Sequence, residues 1–161
     1  MRARLTVAQH KTRQEIVDLP NAGNTNTEMA DVLAPEVDFF SIGTNDLTQY
    51  TFAADRTNPK VASLGDACHP AVLRQIQRVV EAARANNIWV GVCGELAGDP
   101  VAIPILLGLG ISELSMSSPA ISRTKEIVRS WTVADAEGLA VKAVETDSAE
   151  AVRALLRDKN S

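Results

Sequence analysis

Residues 89–99 read WVGVCGELAGD, and they combine the clearest strand signal of the chain with a polar, glycine-containing loop. A continuous apolar run of strand length ends at Cys93 and then turns through two glycines and two carboxylates towards a helix that opens at Pro100. Ligands bind at the carboxyl ends of strands in open or barrelled α/β sheets, because the loops there can change without disturbing the sheet. Cys93 is therefore a candidate for chemistry.

A cysteine that closes an apolar strand also has a purely structural interpretation. Free cysteine is among the most buried residue types, and a cysteine at this position is more often a small core residue than a reactive group. The Gly-Glu-x-x-Gly-Asp loop after it favours the functional interpretation, since glycines let the backbone approach a ligand closely. The chain has two cysteines, Cys68 and Cys93, which fit a reducing compartment and lack the spacing of a zinc site.

The composition is that of a soluble globular domain. A chain of 161 residues with 45% hydrophobic and 22% charged residues can bury one core. Its net charge of −4 argues against nucleic-acid binding through bulk charge. The longest apolar run, 101–109, is too short to span a bilayer, and the first residues contain no apolar segment of a secretory signal. We therefore expect a cytoplasmic location and no membrane insertion.

Strand and helix patterns alternate along most of the chain. Residues 1–28 read as an irregular segment or a poorly matched strand, and residues 29–161 read as one domain. Apolar runs predict three strands, at 37–42, 89–93 and 111–116. Helical periodicity and end signals predict helices at 47–54, 71–85, 100–109, 119–129, 134–144 and 148–158, after a short helix that begins at Thr27 and ends before Pro35. Ser118 is the predicted N-cap of the helix at 119–129, and Pro119 its first residue.

This alternation predicts an α/β fold built from parallel βαβ units. Three units do not close a barrel of eight strands, and the edges of a lone three-stranded sheet must be paired or covered. The sequence therefore predicts a partial (half) TIM-type (βα)8 barrel with parallel strands and additional C-terminal helices. Such a chain is either a fragment of a larger barrel or a partial barrel that associates with itself.

Polar side chains follow each predicted strand, namely Asn45, Asp46, Cys93, Glu95, Ser117 and Ser118. A carboxylate beside a carboxamide suits Mg²⁺. Arg56 lies far enough beyond Asp46 to fold back over this edge, and arginine suits a phosphate group. The alternatives are that Asn45 or Asp46 caps the helix beginning at Leu47, and that Arg56 is a solvated surface charge. We interpret His69 as a loop or cap residue before the next helix.

Two long motifs carry a resemblance to a known family. Residues 39–50 read FFSIGTNDLTQY, with Ala-Asp-Arg at 54–56, and residues 91–99 read GVCGELAGD. Both closely resemble the C-terminal domain of enzyme I, the phosphoenolpyruvate (PEP)-protein phosphotransferase of the bacterial sugar phosphotransferase system. The resemblance extends from about residue 30 to residue 131. Pyruvate phosphate dikinase and PEP synthase carry similar motifs, so a piece of such a barrel is an alternative.

The resemblance implies a mechanism. PEP binds with Mg²⁺ in the mouth of a (βα)8 barrel, and its phosphoryl group passes to a histidine on a separate domain and then to the phosphocarrier HPr for sugar uptake. By matched position, Asp46 is a Mg²⁺ ligand, Asn45 and Arg56 contact the phosphate of PEP, and Cys93 protonates the pyruvate enolate. The family dimerises through this domain, which implies a homodimer.

Three departures limit what the chain can do alone. The family's second metal ligand lies in a Glu-x-Pro motif, and the nearest text here, at 18–20, is spaced differently, so neither Asp18 nor Glu15 takes that role. The arginines of the first half of the barrel and the Thr-Ser-His signature are absent, and neither His10 nor His69 matches the latter. We therefore expect that the isolated chain does not complete phosphotransfer.

A catalytically silent, truncated paralogue is the second hypothesis. Such a chain would serve as a dimerisation or regulatory module, and the irregular first 28 residues favour it. The presence of Asn45, Asp46, Arg56 and Cys93 together favours descent from an active enzyme.

Overall fold

The computed structural model describes residues 25–157. The predicted irregular character of 1–24, together with Glu15 and Asp18, lies outside the described residues. Residues 25–28, which the sequence assigned to the irregular segment, form a short helical turn. The helix predicted from Thr27 is therefore split into two short turns, at 25–28 and 30–33.

The described chain alternates strands and helices as the sequence predicts. The strands are β1 Phe39–Gly43, β2 Trp89–Cys93 and β3 Glu113–Ser115. The α-helices are α1 Thr25–Glu28, α2 Ala30–Leu33, α3 Thr44–Phe52, α4 Pro70–Ala85, α5 Ala102–Leu109, α6 Ser118–Ser130, α7 Val133–Glu145 and α8 Ala149–Arg157. Short 3-10 turns occupy Ala34–Glu36, Ala62–Leu64 and Glu95–Gly98.

The three strands form one parallel sheet in the order β1-β2-β3. Gly43 pairs with Cys93, and Cys93 pairs with Ser115, so the carboxyl ends of the strands meet at one edge. The predicted parallel α/β arrangement is thereby confirmed. Within residues 25–157, β1 and β3 each pair with one strand only.

The two faces of the sheet differ in character. Phe40, Ile42, Val90 and Val92 lie on one face and belong to the buried core, which α4 also lines. The opposite face, which we call the open face, carries the alternate residues of the strands, namely Phe39, Ser41, Gly43, Trp89, Gly91 and Cys93. The Phe39 and Trp89 rings stack there with centroids 4.4 Å apart, although Trp89 remains 40% exposed.

The apolar face predicted for helix α4 is confirmed. All six apolar positions of the predicted face are buried, namely Val72, Leu73, Ile76, Val79, Val80 and Ala83. His69 is the N-cap residue, and its Nδ1 accepts a hydrogen bond of 3.1 Å from the Ala71 amide. The interpretation of His69 as a cap is therefore confirmed.

The nearly all-apolar helix α5 is covered by α7, as its composition requires. Pro104 is the third residue of α5, where a missing amide breaks no intrahelical hydrogen bond. No helix between residues 25 and 157 is both long and apolar enough to cross a membrane.

Candidate functional site

The first turn of α3 carries two of the predicted site residues. The helix begins at Thr44, three residues before the predicted start, so Asn45 and Asp46 are helical and do not form a loop. Gly43 is the N-cap residue, and no side chain caps the helix. The alternative interpretation of Asn45 or Asp46 as a cap is therefore wrong. Because β1 runs directly into α3, both side chains stand at the carboxyl edge of the sheet.

Two hydrogen bonds connect this turn to the last residue of β2 and to the turn that follows it. The Thr44 hydroxyl donates to the Cys93 carbonyl oxygen at 2.9 Å, and Asn45 Oδ1 accepts from the Glu95 amide at 3.1 Å. Gly94 lies between them with φ of +107°, and a Cβ there would come within 2.8 Å of the Thr44 hydroxyl and 3.0 Å of Asn45 Oδ1. The structure thus brings the two motifs into direct contact.

The two cysteines occupy different environments. Cys93 is half-buried and ends β2 on the open face. Cys68 is fully buried, and burial, followed by the nearby Asp99 carboxylate, raises the pKa of its thiol to about 12. Cys68 therefore has the environment of an inert core residue. Cys93 is only partly buried, and its role as a reacting thiol stays a prediction.

Arg56 folds back towards α3, as its spacing from Asp46 predicts. Its Nη2 lies 3.6 Å from Asp46 Oδ1, with 54% of the arginine and 67% of the aspartate side chain exposed. The Arg56 amide donates to Gln49 Oε1. Asp55 accepts hydrogen bonds from the hydroxyl and the amide of Thr57, which lower the pKa of its carboxyl group. The loop that carries Arg56 is therefore shaped by its own polar side chains.

Asp99 has a different role from the other polar residues of the 94–99 loop. Its Oδ2 accepts a hydrogen bond of 3.1 Å from Arg153 Nη1 in α8, and Arg153 also binds both carboxylate oxygens of Asp66 at 3.0 Å. Burial favours the neutral form of Asp66, but hydrogen bonds from Arg153 and from the Cys68 amide outweigh it and hold its pKa below the ordinary value. Asp99 thus fastens the C-terminal helix to the domain.

The third strand contributes the start of α6 to the same edge. The sequence predicts Ser118 as the N-cap residue, but the cap is Ser117, and Pro119 is the second helical residue. Neighbouring backbone dihedrals decide such one-residue shifts, and local sequence determines them poorly. The prediction that Ser117 and Ser118 face a ligand stays a prediction.

Asp46 is a carboxylate at this edge, and its predicted role as a metal ligand stays a prediction. Mg²⁺ takes one or two protein carboxylates and completes its shell with water and substrate oxygens. The exposed Asp46 carboxylate fits such a shared site, and no cluster of three His, Cys, Asp or Glu side chains that could hold a metal occurs among residues 25–157.

The contacts of three residues at the site were not predicted from the sequence, because the prediction considered charged groups and the thiol. Thr44 and Gly94 make the contact between the two motifs, and Gln49 holds the Arg56 loop. A glycine directly after a thiol at a strand end is a usable signal, because it indicates a turn with positive φ. The local sequence around Thr44 does not indicate that its hydroxyl binds Cys93, which lies 49 residues further along the chain.

Comparison with known families assigns the chain that carries this parallel sheet and polar edge to one family. The chain belongs to the family described as PEP-utilising enzyme, PEP-binding domain, whose pattern matches residues 19–133.

Three relatives show which members of this family the chain is similar to. The chain is 44% identical over 143 residues to the phosphoenolpyruvate-protein phosphotransferase of Staphylococcus carnosus, a match that covers 89% of this chain and 24% of the relative. It is 52% identical over 126 residues to the multiphosphoryl transfer protein of Xanthomonas campestris pv. campestris, covering 78% and 15% of the two chains. It is 50% identical over 128 residues to the phosphoenolpyruvate-protein phosphotransferase of Haloferax volcanii, covering 80% and 23%.

The predicted resemblance to the PEP-protein phosphotransferases is confirmed by these matches. The chain spans about a quarter or less of the length of the curated relatives that it matches.

Proposed function

We propose that this chain is the C-terminal part of the PEP-binding barrel of a PEP-protein phosphotransferase and that it carries part of the substrate site. Relatives named for that activity match most of the chain, which favours it over a dikinase or synthase barrel. The open face supports the barrel, because a closed barrel would enclose the stacked Phe39 and Trp89 rings and pair the outer strands. Residues 29–161 would form this part of the domain.

The observation that carries the proposal is the orientation of the Asn45 amide. Its Oδ1 accepts from the Glu95 backbone, so the Nδ2–H groups are the part of the side chain left to donate to an anion. The Arg56 guanidinium lies beside the same helical turn. An amide donor and a guanidinium together suit the phosphate group of PEP.

Asp46 would hold Mg²⁺ in this site. When bound, the ion would neutralise charge on substrate oxygens. Asp46 now pairs with Arg56 across 3.6 Å, an exposed ion pair of small net stability. Cation binding to Asp46 and phosphate binding to Arg56 would replace this pair at little cost.

Cys93 would supply the proton. When the P–O bond of PEP breaks, the electron pair stays on the enolate oxygen, and the enolate carbon then takes the proton of the Cys93 thiol to give pyruvate. The half-buried position of Cys93 on the open face supports this role. The phosphoryl acceptor would be a histidine on another domain, followed by the carrier HPr, so this chain would bind substrate and exchange protons without completing the transfer.

A cytoplasmic homodimer fits the same proposal. The outer strands β1 and β3 each have a strand partner on one side only within residues 25–157, and exposed sheet edges favour association. This feature also favours the second candidate, a catalytically silent dimerisation or regulatory module.

Titration calorimetry of PEP into the purified chain, with and without Mg²⁺ and beside light scattering for mass, separates the two candidates. Mg²⁺-dependent binding that Arg56→Ala weakens about tenfold or more would support the substrate site, since a hydrogen bond to a charged group is worth roughly 1.5–3 kcal/mol. Lys60→Ala is the matched control from the same loop. A folded dimer that binds no PEP at millimolar concentration would favour the module.

A further inference from the structure

We propose that Thr44 is a positioning residue of this site. Its hydroxyl and the Asn45 amide form a clasp that fixes the 93–95 turn against the first turn of α3. The clasp holds the Cys93 thiol and the Asn45 N–H groups in a single arrangement. This inference deepens the proposed function and rests on it for its catalytic meaning.

Thr44 is placed to connect two strands and not to cap a helix. Its side chain is fully buried, and Gly43 already occupies the N-cap position of α3. Gly43 and Cys93 are the last paired residues of β1 and β2. The Thr44 hydroxyl therefore continues the connection between the strands one residue beyond the sheet, at the point where the backbone leaves Cys93.

Gly94 shows how closely the turn lies against α3. With φ of +107°, its backbone occupies a region that side chains disfavour, and an added Cβ would crowd both Thr44 Oγ1 and Asn45 Oδ1. Nothing larger than hydrogen fits between the two halves of the clasp. The turn that follows the thiol therefore has one way to pack.

The clasp also determines which end of the Asn45 amide a ligand meets. A carbonyl oxygen directed at a phosphate would repel it, whereas the N–H groups attract it. Because Glu95 donates its backbone N–H to Oδ1, the amide keeps the orientation that favours an anion. Loss of the Thr44 contact would loosen the turn, and Glu95 would no longer hold Asn45.

The test replaces the hydroxyl without changing side-chain shape. Thr44→Val removes the donor, and Thr44→Ser keeps it. Thr48→Val is the matched control, because Thr48 is also buried in α3 but donates to the Thr44 carbonyl within the helix and not to β2. Two readouts need no ligand: exchange of the Glu95 amide hydrogen, measured by NMR, and the rate at which iodoacetamide alkylates Cys93, with peptide mapping to separate Cys68.

We expect Thr44→Val to speed exchange at Glu95 by about tenfold while buried strand amides such as Val90 keep their protection, because a local opening exposes only local groups. Alkylation of Cys93 should change by about threefold or more, as access governs thiol reactivity. Thr44→Ser should stay near wild type in both readouts, as should Thr48→Val.

Unchanged exchange at Glu95 and unchanged alkylation in Thr44→Val would overturn the proposal. Equal acceleration at all amides, or equal effects of Thr48→Val, would also overturn it, because Thr44 would then be a general core residue. If Thr44→Val does not fold, Asn45→Ala tests the other half of the clasp: a changed alkylation rate of Cys93 supports the coupling, and a wild-type rate refutes it.

Ligand binding is a separate arm. PEP titration of the wild-type chain tests the proposed function. If the wild-type chain binds no PEP but Thr44→Val still speeds exchange at Glu95, the clasp is supported and the proposed substrate site is not. Where the wild-type chain binds PEP, Thr44→Val should weaken binding about tenfold, and Thr44→Ser should restore it. Weak binding in both variants would count against the positioning role.

Discussion

Gly108 of α5 lies directly against the backbone carbonyl of Ala136 in α7. A Cβ on Gly108 would overlap that carbonyl and would also come within 2.9 Å of the Ala140 side chain. Ala136 and Ala140 are both buried. These small residues let the two helices cross at very short range, and this contact joins the C-terminal helices to the sheet-bearing part of the chain.

Gly108→Ala should destabilise the protein by about 3 kcal/mol, because rigid backbone, and not a flexible side chain, occupies the space. Urea unfolding would measure the loss. Gly138→Ala in α7 is the matched control: nothing lies within 4 Å of its added Cβ. The control should stabilise by about 0.5–1 kcal/mol through helix propensity. A neutral Gly108→Ala would contradict the close crossing.

The ion-pair cluster of Arg153 should contribute to stability in a pH-dependent way. Arg153→Met removes three hydrogen bonds to Asp66 and Asp99. The three side chains are about a quarter to a third exposed. After discounting for solvent, we expect a loss of about 1–2 kcal/mol at pH 7. Because the folded pKa of Asp66 is depressed below 3.8, this contribution is present above that value and is lost as the pH falls through the folded pKa.

The measurement is urea unfolding of both proteins between pH 7 and pH 2.5. The difference between wild type and Arg153→Met should be constant near neutrality and should shrink below about pH 4. Arg78→Met serves as the control, since its ion pair with Glu28 is more than half exposed on both sides. That variant should lose less than about 0.5 kcal/mol. A pH-independent difference for Arg153→Met would argue against the linkage.

The imidazole of His69 should act as a replaceable helix cap. His69→Ala leaves the Ala71 amide without its acceptor and should cost about 1 kcal/mol. His69→Asn keeps an acceptor at the N-cap position and should lose much less. Thermal unfolding compares the two variants. Equal losses of stability in the two variants would show that His69 stabilises the protein through its contact with the Phe52 ring and not through the cap.

Cys93→Ala should separate binding from proton transfer. In a reconstituted barrel of the kind proposed above, the variant should bind PEP with Mg²⁺ as wild type does. It should exchange the methyl protons of pyruvate with deuterium about 10²–10⁴-fold more slowly, the usual contribution of a positioned acid–base group. Proton NMR in deuterated water follows the exchange.

Cys68→Ala is the control for that experiment, because its thiol is fully buried and its pKa is raised to about 12. Exchange should persist in this variant. Undiminished exchange in Cys93→Ala would remove the role assigned to Cys93.

Much of the fold follows from patterns that act over a few residues. The helical face of α4, the strand at 89–93 and the cap at His69 were all predictable, since burial period and capping chemistry are local. The start of α3 was not predictable to the residue. Its first turn contains Thr44 and Asn45, whose side chains suit a loop as well as a helix. Their contacts with Cys93 and Glu95, about 50 residues away, favour the helix.

The sequence was sufficient to predict the parallel α/β class, the family resemblance and the polar residues at the strand ends. It did not show what the Asp99 carboxylate contacts. Asp46 stands beside Arg56, whereas Asp99 binds Arg153, 54 residues away. The spacing of ten residues predicted the first contact, but the second became visible only in the folded protein. An ion pair between distant residues depends on which elements meet in space, and local sequence does not specify that.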